Sequence, residues 1–105
     1  MSNSKRLEQL LDMLSKNVDS FLLFAIAKEY EKAAENELAK EYYKRLVSEF
    51  PDYVGTYYHF GKLLEKSTET DAAIEIYNKG IAIAKALGDQ HAWSELAEAK
   101  LNLED

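Results

Sequence analysis

The stretch Tyr57-Tyr58-His59-Phe60-Gly61-Lys62-Leu63-Leu64 decides the fold, because its pattern already occurs 34 residues earlier as Leu23-Phe24-Ala25-Ile26-Ala27-Lys28-Glu29-Tyr30. Leu23, Ile26, Ala27 and Tyr30 fall on Tyr57, Phe60, Gly61 and Leu64, and the i, i+3, i+4, i+7 spacing lines one face of an α-helix. Further along, Ala39, Tyr43 and Leu46 fall on Ala73, Tyr77 and Gly80 at the same offset. Small residues sit where two helices cross closely, Ala27 or Gly61 against Ala39 or Ala73. Larger ones, Tyr30, Tyr43, Tyr57, Phe60 and Tyr77, fill the wedge on either side. A glycine in mid-helix costs about 1 kcal/mol of propensity, so Gly61 marks a packing requirement.

Working outward, punctuation divides the chain into six helices. Leu7, Leu10, Leu11 and Leu14 form one stripe between Ser4 and Lys16. Asp19 or Ser20 caps a helix to about Ala34, and Asn36 caps a third that ends at Phe50-Pro51. Asp52 caps a fourth from about Tyr53 to Lys66, and Thr68, with Asp71 three residues on, starts a fifth to Leu87. Gly88 suits a left-handed C-terminal residue, and Asp89 opens the last helix. Ala, Glu, Lys, Leu and Arg make up about half of the 105 residues, while Val, Ile and Thr total only 11, so a sheet has little to be built from.

These slots resemble the tetratricopeptide repeat, whose pattern is W-x2-L-G-x2-Y, then A-x3-F, then P. One copy reads Leu23-x2-Ile26-Ala27-x2-Tyr30, Ala39-x3-Tyr43 and Pro51; the next reads Tyr57-x2-Phe60-Gly61-x2-Leu64 and Ala73-x3-Tyr77. A partial third, Trp93-x2-Leu96-Ala97, follows Tyr57 by 36 residues. The second copy has Lys85 in the proline slot, so its second helix continues, and the usual glycine between paired helices is absent, with Ala34 and Thr68 nearby. The resemblance implies an all-α, right-handed helical repeat of antiparallel hairpins in one domain. Residues 20–53 and 54–87 would be the repeats, residues 4–17 an N-terminal cap helix and residues 90–103 a C-terminal helix.

Composition narrows the function. A net charge of −6 and the absence of a basic patch argue against nucleic acid and anionic membranes. Lys28-Glu29-Tyr30-Glu31-Lys32 reads as a solvated helix face. No cysteine is present, His59 and His91 belong to no ligand or triad spacing, and the glycines are isolated, so no catalytic residue, metal site or cofactor is expected. The longest apolar run, residues 21–27, is too short for a membrane span, and a cytoplasmic protein is expected.

By the resemblance, the first helix of each pair lines a concave groove that holds a protein or peptide partner. The expected contact residues are Phe21, Phe24, Lys28, Tyr58, Lys62 and Glu65, with the two lysines favouring acidic residues or a C-terminal carboxylate. Phe24 and Tyr58 stand where the carboxylate clamp of chaperone-binding relatives would need polar groups, so that clamp is not reproduced. Phe21 and Phe24 could instead pack on the first helix. The alternative function is self-association, as a homodimer or assembly unit, through an end face or the groove.

Overall fold

The computed structural model describes residues 4–104, and they form six helices in two compact units, Met1–Phe50 and Pro51–Asp105. In the first unit, α1 (Lys5–Lys16) packs on α2 (Ser20–Lys32), which pairs with α3 (Asn36–Glu49). Leu7, Leu10 and Leu14 are the buried side of α1. Leu11 is only half-buried, and the guanidinium of Arg6 reaches Glu29 at 3.0 Å, tying α1 to α2 by charge as well. Leu23, Ile26, Ala27, Ala39, Tyr43 and Leu46 have no solvent exposure, and Tyr30 very little.

In the second unit, α4 (Gly55–Lys66) pairs with α5 (Thr70–Leu87), and α6 (Gln90–Glu104) lies on α5 and along α4. Tyr57, Ala73 and Tyr77 are fully buried, with Phe60 and Gly61 beside them. The atoms nearest Gly61 belong to Tyr77: a Cβ there would meet the ring at 2.2 Å. At Gly80 a Cβ would meet Tyr57 at 2.4 Å. Both glycines are therefore required by aromatic side chains of the facing helix. Lys85 lies within α5, which runs on to Leu87.

Three hairpin turns share one geometry. At each, the N–H two or three residues past the helix returns to a carbonyl five residues back: Glu35 to Tyr30, Glu69 to Leu64 and Asp89 to Ala84, all at 2.8–2.9 Å. The residue between must adopt positive φ. Gly88 does so at 74°, whereas Ala34 (61°) and Thr68 (58°) carry a Cβ into that region.

Three capping expectations need correction. Asn36 is the first residue of α3 and Glu35 its cap. α4 begins at Gly55, not near Tyr53, and is capped by Val54 rather than Asp52. α5 is capped by Glu69, with Thr68 in the left-handed turn before it. None of these three starts has a side-chain cap bond, because the cap positions carry Glu35, Val54 and Glu69 rather than the short polar side chains that accept from the first turn. Asp19 and Asp89 do cap, accepting from the N–H groups of Leu22 and Ala92 at 2.8 and 3.0 Å.

Candidate functional site

On the first unit, Phe21 is 61% exposed, so it does not pack on α1. Phe24 is half-buried, with its ring edge-on to Tyr43 of α3 at 6.3 Å between centroids. Lys28, half-buried beside it, has its ammonium 4.0 Å from Glu31. Glu31 in turn accepts the phenol proton of Tyr43 across the helix pair.

The second unit repeats this arrangement 34 residues on. The Lys62 ammonium lies 3.6 Å from Glu65, and Glu65 accepts the phenol proton of Tyr77. Lys62 also sits over the ring of Tyr58, 5.5 Å from its centroid. Tyr58 and Lys62 form one wall of a cleft of about 230 Å³; Glu95, Glu98, Ala99 and Asn102 of α6 form the other. Burial, then the hydrogen bond to the glutamate, pushes the phenols of Tyr43 and Tyr77 well above their ordinary value of 10.0. Burial also raises Tyr57, whose hydroxyl donates to the Pro51 carbonyl at 2.6 Å.

Each lysine expected to favour an acidic group thus has a glutamate of its own one helical turn away. Glu65 is held by Tyr77, so it belongs to the packing of the helix pair as much as to the exposed face. The segment read as a solvated face is also partly internal. Tyr30 is buried, and the side chains of Glu29 and Glu31 are only 11% and 16% exposed. The carboxylate–phenol pairs escaped the sequence reading, although their signal was present: Glu31 and Tyr43 recur as Glu65 and Tyr77 at the repeat offset. Glu95 and Asn102 carried no such signal, since α6 begins off the 34-residue period.

Among the described residues no group of three or more His, Cys, Asp or Glu could hold a metal ion, and no helix is long and apolar enough to cross a membrane. Paired antiparallel helices with small-residue crossings, recurring at 34 residues, define a helical repeat protein. Residues 22–53 and 54–87 each match the tetratricopeptide repeat family, and the chain belongs to it. It is 33% identical over 91 residues to a TPR repeat-containing protein of Pseudomonas aeruginosa, covering 86% of this chain and 87% of that one. A tetratricopeptide repeat domain protein of Salinibacter ruber is 45% identical; its solution structure superposes with a TM-score of 0.80 over 82% of this chain and 87% of that one. A Bordetella parapertussis protein at 24% identity shares the fold, with a TM-score of 0.81 over 97% of this chain and 90% of that one. Tetratricopeptide repeats are general protein–protein interaction modules, and proteins of the family are generally non-enzymatic scaffolds.

Proposed function

We propose that this chain is an adaptor that binds partner-protein segments, with Phe21, Phe24 and Lys28 the contact residues of α2 in the first unit and Tyr58, Lys62 and Glu65 those of α4 in the second. The observation that carries the reading is the cleft between α4 and α6, where a half-buried tyrosine ring, a lysine and two glutamates converge without serving the core. Aromatic rings supply contact area at low entropic cost, and the surrounding charges select. Lys62 favours a carboxylate of the segment, side chain or C-terminal, while Glu95 and Glu98 on the facing wall favour a basic group. A segment carrying both signs fits this cleft better than a purely acidic one. A cytoplasmic setting belongs to the same reading and is checked by fractionating the native host.

The test is selection from a displayed peptide library, followed by titration of the selected peptides. Tyr58→Ala should weaken binding about tenfold, the cost of truncating a modest aromatic anchor, with helix content unchanged. Lys62→Glu should weaken it in a salt-dependent way. Selected peptides that bind both variants as they bind wild type would remove the interaction from this face.

A further inference from the structure

The turn between α5 and α6 keeps the backbone of the two earlier hairpins and inverts their chemistry. In all three, a carbonyl accepts from the N–H five residues on: Tyr30 from Glu35, Leu64 from Glu69 and Ala84 from Asp89. Aligned on that bond, the residue after the acceptor is Glu31, Glu65 or Lys85, and the residue nine places after it is Ala39, Ala73 or Trp93. In the first two hairpins a large residue on the first helix is thus matched with an alanine on the second, and all four are buried. In the third the sizes are exchanged: Ala84 is fully buried and the Trp93 indole is 37% exposed. The charge is exchanged as well. Glu31 and Glu65 each accept a phenol proton from the facing helix, whereas Lys85 is a cation and the place of those tyrosines is taken by Ala97.

What results is a cleft of about 540 Å³ lined by Ala84, Lys85, Gly88, Asp89, Gln90 and Trp93. Ala84 and Gly88 put little into it, and Gly88 is held to glycine by its φ of 74°. The Lys85 ammonium lies 4.8 Å from the centroid of the indole and, among the described residues, pairs with no carboxylate. We propose that this cleft binds a small aromatic monocarboxylate, its ring on the indole and the floor of Ala84 and Gly88, its carboxylate on the Lys85 ammonium. The sign follows from the cation already in place. An indole that holds an ammonium repels a second cation, and that ammonium lacks only a counter-charge. Asp89 is the one opposing charge, but it is committed to the positive end of α6, accepting the Ala92 N–H at 3.0 Å. A doubly charged anion would meet a single cation, so one charge on an apolar body fits, as is usual for small-molecule clefts. This cleft shares no residue with the one at Tyr58 and Lys62 and does not depend on the function proposed above.

Trp93 is the single tryptophan of the chain, so its emission reports on this cleft. The full chain is titrated with phenylacetate, phenylacetamide and phenethylammonium, followed by tryptophan emission and amide chemical shifts. Phenylacetate should bind with a dissociation constant on the order of 1 mM, in keeping with its size, and shift amides within residues 84–93. The amide and the cation should bind at least fivefold more weakly. Lys85→Gln, at an exposed site without an ion pair, should abolish the difference between acid and amide. Asp89→Asn keeps a good capping side chain and removes the opposing charge, so it should tighten the acid about twofold. A peptide ending in phenylalanine presents the same chemistry: tighter binding than phenylacetate assigns the carboxylate to a chain end, weaker binding to a free acid. No response to phenylacetate, equal binding of acid and amide by wild type, tighter binding of the cation, or shifts centred on Tyr58 and Lys62 each overturn the proposal.

Discussion

Gly61→Ala is the most demanding test of the helix pairing, because local and tertiary effects have opposite signs. Mid-helix, alanine should stabilise by about 1 kcal/mol through propensity alone. The new methyl, however, would lie 2.2 Å from Tyr77 Cε1, 2.6 Å from Cζ and 2.8 Å from Cδ1. Ordinary contact needs well over 3 Å, so the ring must retreat by more than an ångström. It is fully buried, and its hydroxyl is bound to Glu65, so retreat strains the core and stretches that bond. Overpacking costs about 1–3 kcal/mol and a lost bond to a charged acceptor about 1.5–3, so the net after about 1 kcal/mol of propensity is a loss of about 1.5–5 kcal/mol. For a chain of this size that lowers Tm by roughly 6–40 °C. Calorimetry reads it directly. Gly55→Ala is the control: nothing lies within 4 Å of its Cβ position, and that variant should melt at or slightly above wild type. Combining Gly61→Ala with Tyr77→Leu should recover part of the loss, a coupling of about 1–2 kcal/mol. If Gly61→Ala melts at or above wild type, α4 and α5 do not meet as described.

Thr68→Gly should raise stability by about 1 kcal/mol, since glycine relieves a β-branched residue from positive φ; Ala34→Gly should do so by less, and thermal melts decide. Thr56→Val should be neutral or stabilising by up to about 1 kcal/mol in denaturant titration, because the fully buried Thr56 hydroxyl has no hydrogen-bond partner. Tyr43 and Tyr77 hold their protons more tightly folded than unfolded, so stability should be level below pH 10.0 and fall above it, by up to about 1.4 kcal/mol per pH unit for each; Tyr77→Phe should flatten the fall in alkaline melts. Deleting residues 1–17 uncovers the side of α2 against which Leu7, Leu10 and Leu14 pack, and light scattering should show aggregation or self-association.

What was legible in the chain was what recurs. Gly61 announced a close approach because a mid-helix glycine needs a reason, and Tyr77 is that reason. Asp19, Gly88 and Asp89 announced helix ends because their chemistry acts locally. Asn36, Asp52 and Thr68 have the same local chemistry and yet do not cap. The cap positions fall instead on Glu35, Val54 and Glu69, one or two residues away, and a threonine adopts the left-handed region that its propensity opposes. Glu31 and Glu65 were misjudged for a related reason. A charged residue between lysines looks solvated, and only the facing helix shows that a buried phenol needs an acceptor there.

That phenol–carboxylate link changes what the exposed lysines can do. Glu65 is fixed by Tyr77, so Lys62 can turn from it toward a ligand carboxylate without leaving the glutamate unsatisfied. The ion pair given up is half-exposed and worth at most about 1 kcal/mol, so exchanging one carboxylate for another is nearly neutral. On the proposed function, affinity would then come from the Tyr58 ring, and the lysine would contribute register and salt-dependent selection. Glu31 is fixed by Tyr43 in the same way, with the Lys28 ammonium 4.0 Å from it on α2. The repeat thus keeps one carboxylate in its packing and leaves one cation on its surface, in both copies. Removing the packing bond with Tyr77→Phe should therefore tighten Glu65 on Lys62 and weaken carboxylate-bearing peptides more than others, a selectivity change that loss of stability alone would not produce.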